Sequence, residues 1–237
     1  MSKKGENKKL KALNAPKSMR ISRKTTKWTI KTKAGAHKVK DSVSIGIVLR
    51  DYLKVADTLK EAKELLRNKK IKINGKVRKD YQYSIGIFDI IQIEENKVAY
   101  RAIFDAKRRI RLTPLEDKLE GKISKVEFKR ATKHGVQLTT NDGLVFFNDK
   151  AKVGDSLKIT MDGKLDSIIS LKEGSLVYIT KGSHCSEKGI IEEIVSGSEK
   201  REKLVKIKQD EKTFSTIAKN IIVIGEKDAA IADMNKL

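Results

Sequence analysis

Between Thr58 and Lys79 the chain reads TLKEAKELLRNKKIKINGKVRK, and that order of signals restricts it to few local folds. Leu59, Ala62, Leu65 and Leu66 recur three and four residues apart, which lines them along one side of a helix. Thr58 followed by Glu61 forms a capping box, in which the Thr oxygen and the Glu carboxylate each satisfy an orphan amide of the first turn. The helix is predicted to stop near Asn68. Ile71 and Ile73 then alternate with Lys72, and Asn74-Gly75 supplies the positive φ angles of a two-residue hairpin before Val77 resumes the alternation. Arg67, Lys69, Lys70, Lys72, Lys76, Arg78 and Lys79 decorate the unit, which is either a solvated rim or a surface that holds phosphates.

Whole-chain charge favours the second reading. The net charge is +22 over 237 residues, a field that attracts polyanions, either nucleic acid or an anionic membrane. It is uneven: residues 1–42 carry +12, residues 43–96 carry +3, residues 97–172 carry +7 and residues 173–237 carry none. No apolar run approaches a membrane span and no signal-peptide core opens the chain, so a soluble intracellular protein is expected. Cys185 is the single cysteine and excludes an intrachain disulfide. With only 38% hydrophobic and 5% aromatic residues, several small modules are expected in place of one deep core.

Residues 1–42 read as a basic arm, because Leu10, Leu13, Ile21, Trp28 and Ile30 are too scattered to make a core. Its like charges predict flexibility alone and ordering on a polyanion. Residues 43–96 form a compact unit of two short helices, the hairpin and a return strand over residues 89–93. Residues 97–172 read as all-β, starting with a strand over residues 98–104 and broken by turns at Asn141-Asp142-Gly143, Val153-Gly154-Asp155 and Met161-Asp162-Gly163. A small barrel would remove exposed strand edges there. Lys107, Arg108, Arg109 and Arg111 lie near its entry. Residues 173–237 suggest a second small barrel with a loop tip at residues 181–184, a mobile turn over residues 196–203, and a tail that frays beyond Gly225.

Enzymatic signatures are weak. His37, His134 and His184 are far apart and Cys185 stands alone, so a zinc site lacks ligands. Ser183-His184-Cys185 has no identifiable separate base or orienting carboxylate. No GxxxxGK[ST] or strand-linked GxGxxG occurs. No cofactor or metal is expected.

Residues 58–77 resemble the S4-type RNA-binding module found in ribosomal proteins, pseudouridine synthases and some tRNA synthetases. Lys8-Lys9-Leu10-Lys11, Leu13-Asn14-Ala15-Pro16-Lys17 and Gly35-Ala36-His37-Lys38 resemble the N-terminal arm of the archaeal and eukaryotic small-subunit ribosomal protein family S4e. Val77-Arg78-Lys79-Asp80, Gly86-Ile87-Phe88-Asp89-Ile90-Ile91 and Lys152-Val153-Gly154-Asp155-Ser156-Leu157 continue the likeness in order. Residues 174–191 resemble a KOW motif of an SH3-like barrel, with Ser186 where that loop usually has glycine. Leu59 replaces the Arg that often follows the helix-opening residue of such modules.

The resemblance implies an α+β multidomain protein: an extended basic N-terminal arm, a small RNA-binding module and two small β-barrel-like domains. It implies a non-catalytic, rRNA-binding constituent of the small ribosomal subunit in the cytoplasm. The partners would be small-subunit rRNA and neighbouring ribosomal proteins, with no membrane association and no independent homo-oligomer. The candidate RNA contacts are Lys8, Lys9, Lys11, Asn14, Lys17, His37 and Lys38 in the arm, and Arg50, Lys69, Lys70, Lys72, Asn74, Lys76, Arg78 and Lys79 in the module. Arg108 and Arg109 complete the set. An RNA-modifying enzyme targeted by the module and a transiently bound KOW-type translation or transcription factor remain the alternatives.

Overall fold

The computed structural model describes residues 9–94, 98–115, 120–195, 197, 202–209, 212–226, 228–231 and 234. Strands dominate, and the helices are few and short. The α-helix Leu59–Arg67 begins on Thr58, whose side chain accepts a hydrogen bond from the Glu61 amide. The Glu61 carboxylate reaches back past the cap and accepts the Asp57 amide at 2.9 Å, one residue before Thr58. Upstream, a single α turn, Ile45–Ile47, runs into the π-helical turn Val48–Tyr52. Ala62 and Leu66 of the long helix share one buried cluster with Ile47, Val48 and Leu49.

The hairpin forms as its sequence requires. Ile71–Ile73 pairs with Lys76–Val77, and Asn74 and Gly75 have φ of 49° and 77°. The antiparallel sheet built on it continues through Ile90–Ile93, Val98–Phe104 and Ile110–Leu115. Strand pairing therefore crosses the boundary expected at residue 97. The strand Val98–Phe104 is buried along most of its length, so it needs neighbours on both edges, and its apolar run does not reveal which strand supplies them.

The arm is not a free extension over its described part. Leu10–Lys11 pairs with Trp28–Thr29, and Ala15, Met19 and Ile30 are buried in the main hydrophobic cluster. The Ile110 amide bonds the Ser18 carbonyl at 2.9 Å, and the Lys33 amide bonds the Gln82 carbonyl at 3.0 Å. Ala15, Met19 and Ile30 anchor this segment, while Leu13 and Trp28 stay exposed.

The central sheet orders Val145–Phe147, Gly135–Thr140, Lys122–Thr132, Ser156–Ile159 and Leu165–Ile169. Its long strand divides its pairing: residues 122–125 face Ser156–Ile159, and residues 126–132 face Gly135–Thr140, with an irregularity at Val126/Phe128. That irregularity bends the strand so that both halves enclose Val126, Leu138, Leu157 and Ile159.

The C-terminal sheet orders Lys212–Ile217, Leu204–Gln209, Lys188–Val195, Leu176–Ile179 and Ile221–Gly225. The chain beyond Gly225 does not fray at its described positions. Gly225 bridges Ala229, and Ile231 and Met234 are buried. Of the turn expected over residues 196–203, residues 196 and 198–201 lie outside the described residues.

Candidate nucleic-acid interface

The basic edge of the hairpin is rigid at its centre and open at its rim. Lys69 follows the helix with φ of 60°, a left-handed residue that turns the chain into the first strand. Lys69, Lys76 and Lys79 are exposed and have no ion pair among the described residues. Lys72 pairs with Glu94 at 2.7 Å, and Arg78 lies 4.5 Å from the centroid of the Tyr83 ring. Lys70 is half-buried. Gly75 seats the hairpin tip against the central sheet, because a Cβ there would lie 2.3 Å from the Met161 carbonyl oxygen. The tip is held, and the lysines project from a fixed frame.

Two expected RNA contacts point inward. His37 is 8% exposed, and its Nε2 lies 2.7 Å from Asp89 Oδ2. The ring passes over Gly86, where a Cβ would come within 2.3 Å of it. Asn74 donates from Nδ2 to Asp89 Oδ1 at 2.7 Å and accepts the Ile90 amide at 2.9 Å. Both side chains bond one buried carboxylate: the turn that favours Asn also aims the Asn74 amide at Asp89.

Asp89 is the centre of this network. Its Oδ2 also accepts the Gly86 amide at 3.0 Å, and its Oδ1 lies 3.2 Å from Lys122 Nζ. Lys122 pairs in turn with Asp142, which accepts from the hydroxyls of Ser124 and Thr140. Burial alone would raise the Asp89 pKa, but His37 and Lys122 outweigh it and hold the carboxyl far below its usual range. Asp142 is likewise lowered, burial being outweighed by Lys122. Lys122 is raised, because Asp89 and Asp142 outweigh its own burial. Beside this cluster the buried Arg101 donates to the Phe88 carbonyl at 3.3 Å and the Gly121 carbonyl at 3.0 Å. Arm, hairpin module and central sheet are thus tied through ionised groups that are shut off from solvent. Sequence reading missed Asp89, Arg101, Lys122 and Asp142, since nothing in a charged chain marks which charges turn inward.

The remaining candidates divide. Lys8 lies outside the described residues. Lys9, Lys11, Asn14 and Lys17 are exposed on the arm, with Lys9 and Lys27 Nζ 5.6 and 5.7 Å from the centroid of the half-exposed Trp28 ring. Lys38 is exposed and reaches Glu127 at 3.4 Å. Arg50 is bound to its neighbour Asp51 through Nε and Nη2, at 2.6 and 2.9 Å. Arg108 pairs with Asp41, which also lies 3.8 Å from Lys181 of the C-terminal sheet, so this arginine fastens the arm's end. Arg109 is half-buried.

Comparison with known proteins gives consistent matches. The RS4NT domain matches residues 4–40, the S4 domain residues 47–91 and ribosomal family S4e residues 87–164. Small ribosomal subunit protein eS4 of Methanocella arvoryzae is 37% identical over 226 residues, spanning 94% of this chain and 96% of the relative. Its counterpart from Archaeoglobus fulgidus is 33% identical, spanning 92% and 94%. The crystal structure of 30S ribosomal protein S4e from Thermoplasma acidophilum aligns with a TM-score of 0.69 at 31% identity, covering 78% of this chain and 96% of that one.

Proposed function

The chain belongs to the ribosomal S4e family, and on that footing we propose that it is a structural, rRNA-binding constituent of the small ribosomal subunit, acting in the cytoplasm without catalysis or cofactor. The observation that carries the site is the hairpin edge, where Lys69, Lys76 and Lys79 stand exposed and without ion pairs among the described residues on a turn locked by Asn74 and Gly75. Such a frame presents ammonium groups to phosphates at fixed spacing, so little order is lost when RNA docks. Exposed Lys9, Lys11 and Lys17 extend the basic surface onto the arm, with Trp28 beside Lys9 as a flat partner for a base. Recognition is then by the shape and backbone of folded RNA more than by base sequence. Neighbouring small-subunit proteins are the further partners of the remaining surface.

The test is the salt dependence of binding to a small-subunit rRNA fragment. The affinity of the unaltered protein should fall steeply with salt. Replacing Lys69, Lys76 and Lys79 by Gln should reduce the logarithmic slope by about 2 to 3. Binding that ignores both salt and these substitutions would refute the reading.

A further inference from the structure

The central sheet carries an exposed aromatic surface built from none of the candidate RNA contacts. Strand register defines it. Phe128, Thr139 and Val145 lie opposite one another across three strands, and Arg130, Gln137 and Phe147 form the next row. Side chains two residues apart on a strand share a face, so these two rows are one surface. The opposite face holds the buried Leu138 and the half-buried Phe146, both in the central core. Phe128, Val145 and Phe147 remain 65%, 48% and 58% exposed, although a sheet with a filled core has no need of apolar groups outside it.

The surroundings choose the occupant. Arg130 stands within the surface, and Lys133 and Lys150 are exposed near its ends. Among residues 128–150, Asp149 is the one exposed carboxylate, because Asp142 is buried against Lys122. Two rings flanking one intervening strand lie about 10 Å apart laterally. The intervening strand carries an amide and a hydroxyl, Gln137 and Thr139, and Arg130 adds a guanidinium two residues from Phe128 on the same strand and face, all of which can bond phosphates or base edges.

We propose that this face is a stacking platform for unpaired nucleobases of RNA, with Phe128 and Phe147 each stacking a base and Arg130 holding the connecting backbone. The platform rests on the rRNA-binding reading and adds a second mode of contact: the hairpin holds folded backbone, and the central sheet holds bases splayed out of a loop or bulge.

The experiment uses the full chain with a short labelled unpaired RNA and a duplex of equal length, followed by fluorescence anisotropy. F128A and F147A should each weaken binding of the unpaired RNA about fivefold, and duplex binding should not change. F128Y and F147Y, which keep the ring, should bind like the parent. Unpaired RNA bound equally well by the F128A/F147A double variant would overturn the platform. So would an equal loss on duplex, or a double variant that alters self-association in sedimentation while binding RNA as before. Failure of the underlying reading is distinguishable, because it would show as salt-insensitive binding of the small-subunit rRNA fragment by the unaltered protein.

Discussion

Lysine is put to opposite uses at the hairpin edge and in the cluster behind it. At the edge, Lys69, Lys76 and Lys79 keep their hydration and lie open to a partner. Behind it, Lys122 is sealed between Asp89 and Asp142, and His37, Asn74 and the Gly86 amide also bond Asp89. The edge contributes little to stability, since a solvated charge gains nothing by folding. The cluster organises three modules, because each buried carboxylate is tolerable only while its partners stay in place. The buried charges thereby fix the backbone frame from which the exposed lysines project.

The strongest way to break the contrast is Lys122→Met. It leaves Asp89 and Asp142 buried without their shared cation and is expected to cost about 3 to 5 kcal/mol. Lys69→Met should stay within about 0.5 kcal/mol. Equilibrium denaturation of both decides, and equal costs would dissolve the distinction.

Acid should act next. Asp89 and Asp142 have folded pKa values depressed below the unfolded ones. Their stabilisation is fully present above the unfolded carboxylate range and is lost as pH falls through it towards the folded values. Unfolding midpoints should therefore be flat from neutral pH to about 5 and drop steeply below about 4. In Lys122→Met that drop should shrink.

A smaller loss, about 1 to 2 kcal/mol, is expected for Asn74→Ala, which orphans the Ile90 amide and one bond to Asp89. RNA affinity measured on the folded fraction should change less than with the lysine substitutions. The smallest effect concerns Ser186, which stands where glycine was expected and has φ of 79°. Ser186→Gly relieves left-handed strain but gives the unfolded chain more freedom to lose on folding. The two terms oppose, and thermal unfolding should find a net change below about 1 kcal/mol.

Local elements were legible because their causes are local. The capping box at Thr58, the helix end near Asn68 and the Asn74-Gly75 turn each follow from a few adjacent residues. The net basic character followed from counting, and the family followed from the order of motifs.

Placement relative to the rest of the molecule was not legible. The strand Val98–Phe104 reads as a strand in either sheet, and its partner is chosen by burial on both faces. The arm's apolar residues are too scattered to predict docking, yet Ala15, Met19 and Ile30 join the main buried cluster. Phe128 and Phe147 look like core residues until the register turns them outward, while His37 looks like a surface residue until Gly86 admits its ring. Sequence by itself determined the turns and the helix, which depend on residues within a few positions of one another, and the sign of the charge, which needs only a count. Tertiary structure alone decided which charges stay exposed and which hold the modules together, because that depends on what is folded against each group.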